Sequence, residues 1–506
     1  MNRTIHGLAK DRRTKDDATR SPVKGSAGVN MKSNRLMALV LTVAAQAGDQ
    51  PQWGAPLSRN LVSAETNLPD TVDPTNRVNV RWIADLGNQC FATPVIAAGR
   101  VFIGANNAAP RDPAIVGDRG VLMCFDEQTG AFRWQLACPK LTNSVYWDWT
   151  GVGLCSPATV AGGRVHIVSN RGEVWSLDPA GPAGGALSVR ASDARWRFDY
   201  IQQCGVRQHD SAHAAPLVVG EILYLNTSNG VDDTHKGIAA PDAPSLIGLD
   251  LATGRLAARD AERIGPDIFH STWSSPACGE VNGKPLLFFC GGNGIVYAFE
   301  TVTAAGPEPV TLKKVWWCDF DPAAPKQDIH SFLRNRKESP SNMYGMPVFH
   351  DGRLLVAGGG DMWWGKREAW LKCLDVTGHG DVTQTAPRWS YALERHTCAT
   401  PAVADGLVYI TDIGHFVHCV DAATGQAVWK HDTGAEVWAS PLVADGKVYV
   451  GTRKGELLIF AAGREKKLLC SAKLEGAING TATAANGAVF VATMKRLYAF
   501  AKPTAK

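Results

Sequence analysis

Tryptophan, histidine and arginine side chains gather in short segments of this 506-residue sequence, each leading into a small residue followed by proline or alanine. Such side chains bind ligands through aromatic faces, imidazole nitrogens and positive charge. The candidate binding residues are Trp147, Trp149, His209, His213, His270, Trp273, Tyr344, Arg395, His396, Glu436 and Trp438. If the fold brings them together, they predict a site for an anionic or sugar-like ligand, a glycan, or a partner protein.

The same segments contain no recognisable catalytic or metal-binding motif. Ser211, His213 and Asp210 do not make a catalytic triad, because neighbouring residues of a strand point to opposite faces. Metal binding by His209 and His213 stays open, but the sequence shows no third ligand nearby. We therefore predict no catalytic residue and no metal site.

The twelve cysteines include neither an adjacent Cys-Cys pair nor the Cys-x-x-Cys-His motif of covalently attached haem. Cys124, Cys373 and Cys419 each stand two residues before a turn aspartate, where other units carry serine, glycine or alanine. We interpret this position as a packing slot for a small residue. Cys278 and Cys290 fall on neighbouring predicted strands and could pair in an oxidising compartment.

The elements that must position these residues come from a repeat, as in ATPAVADGLVYITD (399–412) and ASPLVADGKVYVGT (439–452). Each unit has a small residue, two alternating apolar runs and a glycine turn between them, which predicts a β-hairpin. The landmark residues of the eight units are Pro94, Pro157, Pro216, Pro276, Pro347, Pro401, Pro441 and Ala482.

Most units continue with a third alternating run and a fourth run that carries tryptophan, such as AFRWQL (131–136). In three units an Asp-x-x-Thr-Gly turn, such as DEQTG (126–130), follows the third run. The aspartate can accept hydrogen bonds from its own loop, and the glycine supplies a positive φ. The tryptophan is predicted to pack one unit against the next. Four antiparallel strands per unit, at spacings of 40 to 71 residues, are typical of a β-propeller.

The eighth unit ends at LYAFAK (497–502) without a tryptophan strand, and RVNVRWIADLG (77–87) supplies one through Trp82. The sequence thus predicts an all-β fold, an eight-bladed β-propeller of four-stranded antiparallel blades whose last blade is completed by an N-terminal strand. We expect the propeller to span residues 77–502 and residues 48–76 to lead into it.

The predicted topology places the candidate residues on one face. In a four-stranded blade, the second-to-third and fourth-to-first loops lie on the same rim of the ring. The long loops of both kinds are 105–120, 228–245, 359–369, 146–151, 207–213, 267–273 and 328–344. We therefore predict a binding face, beside the central channel, that carries most of the tryptophan and histidine.

The formal charge of +4 comes from the N-terminal region. Residues 1–47 hold nine basic and three acidic residues, which leaves 43 basic and 45 acidic residues in the rest of the chain. A near-neutral body carries no nucleic-acid-binding charge pattern, so we expect no nucleic acid among the partners.

A short basic stretch, MKSNR, precedes an apolar run of 12 residues, 36–47, that ends in Ala45-Gln46-Ala47. This pattern predicts a signal peptide at about 31–47, a mature chain starting near Gly48 and, as an alternative start of translation, Met31. The run is too short to cross a bilayer, and the cleavage region holds no cysteine for a lipid anchor. We expect a periplasmic or secreted monomer without a transmembrane span.

The pieces DEQTGAFRW and DAATGQAVW, together with the Ser/Thr-Pro strand starts, resemble the pyrroloquinoline-quinone (PQQ)-repeat, or quinoprotein-like, eight-bladed propellers over roughly residues 77–502. That family includes quinoprotein alcohol dehydrogenases and the outer-membrane protein assembly propeller, which binds no quinone. It also includes a group of exported propellers, which this chain resembles most because of its long inserts. The motifs indicate the fold but not the function.

The resemblance implies two functions. The dehydrogenases hold PQQ between a tryptophan and a disulfide of adjacent cysteines, with Ca²⁺ bound by carboxylate and amide oxygens. Because this sequence lacks the adjacent cysteine pair, we expect a non-catalytic binding or scaffold module of the cell envelope. A PQQ- and Ca²⁺-dependent alcohol or sugar dehydrogenase is the alternative.

The signal peptide gives the first testable prediction. We expect cleavage after Ala47, because the Ala-x-Ala site directly follows the apolar run. The intact mass of the exported protein should correspond to a chain that starts at Gly48. A mature protein that still carries residues 31–47 would contradict this prediction.

Overall fold

The structure is a computed structural model that describes residues 48–503. Its strands form eight sheets, each built on four antiparallel strands, so the predicted all-β, eight-bladed propeller is confirmed. No helix within 48–503 has the length and apolar character needed to cross a bilayer. The predicted signal peptide at about 31–47 lies outside the described residues.

The eight blades follow the chain in order, and the strands of each are given from the inner to the outer edge. Blades 1 to 4 are Val95–Ala97, Arg100–Asn106, Arg119–Asp126 and Phe132–Pro139; Thr159–Ala161, Arg164–Val168, Glu173–Leu177 and Trp196–Asp199; Leu217–Val219, Ile222–Asn226, Leu246–Asp250 and Leu256–Arg259; and Ala277–Val281, Lys284–Cys290, Ile295–Glu300 and Lys314–Asp319. Blades 5 to 8 are Val348–His350, Arg353–Gly360, Ala369–Asp375 and Pro387–Leu393; Ala402–Ala404, Leu407–Thr411, Phe416–Asp421 and Ala427–Asp432; Leu442–Ala444, Lys447–Gly451, Glu456–Ala461 and Leu468–Lys473; and Thr483–Ala485, Ala488–Ala492, Arg496–Phe500 and Val80–Asp85.

The hydrophobic core is divided among the joints between blades. The described residues form eight clusters, and each one joins the facing sheets of two consecutive blades, including the last and the first. The second strand Ile222–Asn226 is buried along its whole length, whereas the outer strand Ala427–Asp432 buries only Trp429. The two faces of Ile222–Asn226 contact the clusters shared with blade 4 and with blade 2, so neighbouring blades cover both sides of this strand.

The outer-strand tryptophan makes the joint that the repeat predicted. Six indole N–H groups donate to a turn carbonyl of the following blade at 2.8 to 3.1 Å, from Trp82, Trp134, Trp196, Trp316, Trp389 and Trp429. The turn glycine lies beneath the ring, since a Cβ on Gly130 would come within 2.6 Å of Trp82. Gly130 also has φ +71°, so the turn requires glycine for two independent reasons.

The cysteine position before the turn aspartate is explained by the same joint. Cys124, Cys373 and Cys419 are buried and pair across the ladder with the tryptophan of the next strand. A small residue leaves room for the indole, and burial raises the pKa of the Cys124 and Cys419 thiols to about 12. The three cysteines are therefore buried packing residues with unreactive thiols.

The suggested disulfide between Cys278 and Cys290 is wrong. All twelve cysteines of the sequence lie within the described residues, and all are free thiols. Cys278 contacts the core between blades 3 and 4, whereas Cys290 contacts the core between blades 4 and 5. Their side chains thus project from opposite faces of one sheet, and the sheet separates them.

Short additional strands extend four of the blades. Val310–Thr311 and Gly380–Asp381, from long third-to-fourth loops, pair in parallel with the outer strands of blades 3 and 4. Val62–Ser63 pairs with the inner strand of blade 7, and Ser341–Asn342 pairs with the second strand of blade 5. The loop strands on blades 3 and 4 cover outer edges that would otherwise expose unpaired backbone groups. The remaining elements are one α-helix and four 3₁₀-helices, Tyr200–Cys204, Ala183–Gly185, Ala191–Asp193, Gly265–Asp267 and Ile329–Phe332.

The N-terminal segment 48–65 does more than lead into the ring. Its carbonyl groups accept hydrogen bonds from one equivalent backbone amide, that of the second residue of the inner strand, in five blades. The bonds join Gln50 to Ile96, Pro51 to Val160, Leu57 to Cys278, Ser58 to Phe349 and Leu61 to Val443, at 2.7 to 3.0 Å. The Asn60 side chain makes the same contact with Val403 of blade 6. Along its length, the segment thus contacts the inner strands of successive blades in chain order, and it lies inside the channel.

Arg59 anchors this segment. Its guanidinium is fully buried and donates to the carbonyl groups of Ala215 at 2.7 Å, Pro276 at 2.9 Å and Trp53 at 3.0 Å. Burial lowers the pKa of Arg59 to about 9, so the group is still protonated at neutral pH. Glu65, also buried, accepts from the amides of Asn486 and Gly487 in blade 8. Sequence reasoning missed this role of the segment.

The closing strand gives the second prediction. Val80–Asp85 pairs with Arg496–Phe500, as predicted, and Trp82 is 6% exposed. Trp82→Ala should lower the free energy of unfolding by about 3–5 kcal/mol, because it leaves a cavity and an unpaired turn carbonyl at the joint between blades 8 and 1. Urea unfolding measures the change. Trp317→Ala, at a half-buried outer-strand tryptophan, is the control and should cost clearly less; a loss below about 1 kcal/mol for Trp82→Ala would contradict the closure.

Candidate functional site

The channel forms a funnel of two connected chambers on the face that carries the inserts. The upper chamber has a volume of about 480 Å³, and the lower one has about 150 Å³. Five residues border both chambers and form the constriction between them, namely Phe91, His213, Trp273, Trp363 and Trp438. The upper volume lies within the range of cavities that hold small ligands or single side chains.

Aromatic contacts link the five residues of this constriction in a chain. Trp273 lies 4.8 Å from His213 and 5.8 Å from Trp363, measured between ring centroids. Trp363 in turn lies 6.2 Å from Trp438, which lies 6.5 Å from Phe91. Each ring except Trp363 comes from the residue three positions before a landmark proline, so the repeat itself builds most of the girdle.

The N-terminal segment closes the lower chamber. Trp53 lines this chamber, and its indole N–H donates to the Thr481 hydroxyl at 3.1 Å. Since the lower chamber ends on Trp53 and the upper chamber is bordered by the inserts, an occupant enters from the insert-bearing face.

Six of the eleven predicted residues line the chambers. They are Trp149, His213, His270, Trp273, Tyr344 and Trp438. His209 is fully buried and packs 4.9 Å from His270, behind the wall of the upper chamber.

The other four lie outside the chamber lining. The guanidinium of Arg207 covers Trp147 at 4.7 Å, and Arg395 is exposed. His396 is buried behind Tyr344, 5.3 Å away. Glu436 pairs with Arg453, whose guanidinium lies 4.0 Å above Trp438, so Glu436 acts on the funnel through two other side chains.

Sequence reasoning missed several residues of the funnel. Trp363 and Trp364 come from the insert 359–369, and His235 comes from the insert 228–245. Their inserts were recognised, but no sequence pattern shows which insert residues fold inward. Trp53 had no signal at all, because it lies in a segment without repeat periodicity.

Asp361 organises one wall of the funnel. It is fully buried, and its carboxylate accepts hydrogen bonds from the Tyr344 hydroxyl and from His270 Nδ1 at 2.9 Å. Backbone amides of Trp363 and Trp364 complete its shell at 2.9 and 2.7 Å. Burial alone would raise the pKa of Asp361, but His270 and Tyr344 hold it below its usual value. Asp361 thus fixes both the insert tryptophans and the wall residues as an anion.

The chamber lining carries almost no charge. Among the described residues that line the two chambers there is no lysine or arginine, and Asp210 is the one carboxylate. Burial raises the pKa of Asp210 to about 6 and lowers the pKa of His213 to about 4. The funnel therefore favours an uncharged, aromatic or apolar occupant.

A family model described as outer membrane protein assembly factor BamB matches residues 79–315, 334–436 and 367–468, together more than half of the chain. A crystal structure of BamB from Moraxella catarrhalis superposes with a TM-score of 0.53 at 14% identity, covering 83% of this chain and 99% of that chain. At this identity the superposition shows the fold alone.

Two curated relatives match shorter segments. The quinohemoprotein alcohol dehydrogenase of Comamonas testosteroni is 30% identical over 122 residues, covering 20% of this chain and 16% of that protein. The outer membrane protein assembly factor BamB of Burkholderia pseudomallei is 34% identical over 112 residues, covering 22% and 28%. The chain therefore matches less than a third of the length of either relative.

The buried histidines give the third prediction. Burial lowers the pKa of His396 to about 4, below the value of about 6.5 in an unfolded chain. Between these values the unfolded chain binds a proton that the folded protein does not, so stability falls as pH decreases. From pH 7 to pH 5, His396 should account for a loss of about 2 kcal/mol. In His396→Gln, the difference between the unfolding free energies at the two pH values should shrink by that amount. His379→Gln, at an exposed histidine, is the matched substitution for comparison. An unchanged difference in His396→Gln would contradict a neutral, buried imidazole.

Proposed function

The chain belongs to the PQQ-repeat propeller family described as outer membrane protein assembly factor BamB, and on this basis we propose that it is a non-catalytic binding module of the cell envelope. In this proposal, a partner protein docks on the insert-bearing face and places an uncharged, aromatic or apolar segment in the funnel. The observation that carries the proposal is the aromatic funnel, open toward the inserts and closed below by Trp53.

The shape of the site supports a docking function. Except for Trp363, the girdle residues lie just before the inner strands of rigid blades. Loops of several blades surround the upper chamber. Binding residues concentrate on loops that a rigid scaffold positions, and aromatic anchors supply much of the energy of protein interfaces. Trp149 and Trp363, 41% and 39% exposed, are the most accessible of these anchors.

The charge of the site supports binding without quinone chemistry. PQQ carries three carboxylates, and the described lining offers no lysine or arginine to pair with them. Ca²⁺ takes six to eight oxygen ligands, whereas the upper chamber presents one carboxylate among aromatic and imidazole rings. Cys155 and Cys398, the cysteines of the lower chamber, are free and far apart in sequence. The residues present therefore do not fit the quinone and its calcium ion.

A dehydrogenase is the second candidate, because the chain shares 30% identity over 122 residues with the quinohemoprotein alcohol dehydrogenase. That segment spans 16% of the dehydrogenase, so the match reflects shared blades. Binding of PQQ with Ca²⁺, followed by alcohol oxidation, distinguishes this alternative from a binding module.

An envelope location is part of the proposal. The family description names the outer membrane, and the sequence predicts export with a mature chain that starts at Gly48. Glu65 supports this start, because its carboxylate already accepts from the Gly48 nitrogen at 2.5 Å. Cleavage of the peptide bond between Ala47 and Gly48 would convert this nitrogen to an ammonium group, and its contact with Glu65 would become an ion pair.

The proposal gives the fourth prediction. A photo-crosslinking amino acid at position 149, on the funnel rim, should capture a partner in the envelope of the native host. The same probe at exposed Lys284, which directly follows a blade hairpin turn on the opposite face, should not. With that partner purified, Trp273→Ala and Trp438→Ala should each weaken its binding by about 2 kcal/mol or more, since both remove a central aromatic anchor. The exposed Arg367→Ala is the matched control and should have little effect, because Arg367 lies on the insert 359–369 but does not line the chambers.

Two outcomes would contradict the proposal. Capture of the same partner from position 284 alone, with binding insensitive to both tryptophan changes, would move the interface to the opposite face. Saturable binding of PQQ with Ca²⁺, followed by alcohol oxidation with an artificial electron acceptor, would establish the dehydrogenase instead.

A further inference from the structure

Three histidines meet at the wall of the upper chamber. Side-chain nitrogens of His209, His235 and His270 lie within 4.8 Å of one another, and all three residues are buried. The Asp210 carboxylate faces the same point, with oxygens 3.5 Å from His209 Nε2 and 3.9 Å from His270 Nε2. Both distances exceed a hydrogen bond, so the carboxylate approaches the imidazoles without being bonded to them.

The backbone brings these residues together in an unusual way. The strand-like segments around Gln208, Asn229 and Ser271 form a small ladder, which places His209 and His270 on either side of Gly230. A Cβ on Gly230 would come within 2.7 Å of both the His209 Cβ and the His270 carbonyl oxygen. The approach of the two histidines therefore depends on this glycine.

Positive φ angles orient the side chains of Asp210 and His235 toward the cluster. Asp210 has φ +60°, and this left-handed residue breaks the strand alternation that would otherwise turn His209 and Asp210 to opposite sides. His235 has φ +58° in a turn closed by a bond from the Asp232 amide to the Gly237 carbonyl. Strained residues of this kind cluster at functional sites.

Hydrogen bonds orient two of the three imidazoles through the ring nitrogen that points away from the cluster. His209 Nδ1 donates to the Val231 carbonyl at 3.0 Å, and His270 Nδ1 donates to Asp361 at 2.9 Å. Because Nδ1 makes the outer hydrogen bond, Nε2 is the nitrogen of each ring that is left to face the cluster. Both Nε2 atoms and Asp210 Oδ1 are buried without a hydrogen-bond partner among the described residues. Packing alone does not explain three unpartnered polar atoms that face one point.

We propose that His209, His235, His270 and Asp210 bind one divalent first-row transition-metal ion, such as Zn²⁺. Three imidazoles and one carboxylate are a donor set that suits this class of ion, and the hydrogen bond from His270 to Asp361 is an arrangement common behind the ligands of such sites. A tetrahedral ion at 2.0–2.1 Å from its ligands would bring the donor atoms to about 3.3 Å, so binding draws the rings inward. The inference is independent of the partner that occupies the funnel.

The experiment uses the mature protein, freed of metal with a chelator and dialysed. Zn²⁺ affinity is measured by competition with a chromophoric chelator, and geometry is read from the visible absorption of the Co²⁺-loaded protein. We expect one ion per chain and the intense absorption of tetrahedral Co²⁺. Asp361→Asn should weaken Zn²⁺ binding by roughly 10–100-fold, and His235→Ala should weaken it further, because it removes a ligand.

His379→Ala, an exposed histidine elsewhere on the ring, is the matched control and should keep the wild-type affinity. Absence of saturable Zn²⁺ binding by the folded wild type would overturn the proposal, and so would an affinity unchanged in His235→Ala. If circular dichroism shows that a variant has not folded, the absorption spectrum of the Co²⁺-loaded wild type alone tests the proposal. A spectrum typical of octahedral Co²⁺ would overturn the proposed site.

Discussion

An indole resting on a turn glycine of the next blade is the contact on which the ring depends. Trp82 makes it across the point where the two ends of the chain meet, with its N–H on the Glu127 carbonyl and its ring on Gly130. The hydrogen bond recurs at five further joints, and a turn glycine lies under the indole at three of them, Gly181, Gly254 and Gly425. The angle between blades is therefore set by a repeated side chain and not by the loops. This regularity leaves the loops free to vary in length and to carry the site.

The segment 48–65 converts an open ring into a funnel with a floor. A propeller leaves the inner-strand amides unpaired along its channel, and the carbonyl groups of this segment satisfy them blade by blade. Arg59 is the fixed point, because its buried charge is solvated only by carbonyl oxygens of the segment and of two blade strands. Trp53 then limits the depth to which any occupant can enter.

The upper part of the funnel contains an aromatic girdle and a histidine cluster, and one occupant does not have to contact both. The girdle around Trp273 and Trp438 is aromatic and nearly uncharged, which suits docking of an apolar group. The histidine cluster beside it has unpartnered nitrogens at one point and an anionic outer shell in Asp361. The insert 359–369 links the two, because Asp361 binds His270 while its neighbour Trp363 borders the girdle.

The sequence by itself determined the eight blades, the closing strand, the indole joints and the positions just before the inner strands that supply Phe91, His213, Trp273 and Trp438. These features follow local periodicity, which repeats with the blade and is visible in one chain. Only the tertiary structure decided that His235 joins His209 and His270, that Asp361 lies behind them, and that Trp53 forms the floor. These residues belong to irregular segments, whose paths are fixed by long-range hydrogen bonds and by left-handed residues such as Asp210. No periodic pattern encodes such contacts, because each depends on a single residue meeting a distant partner.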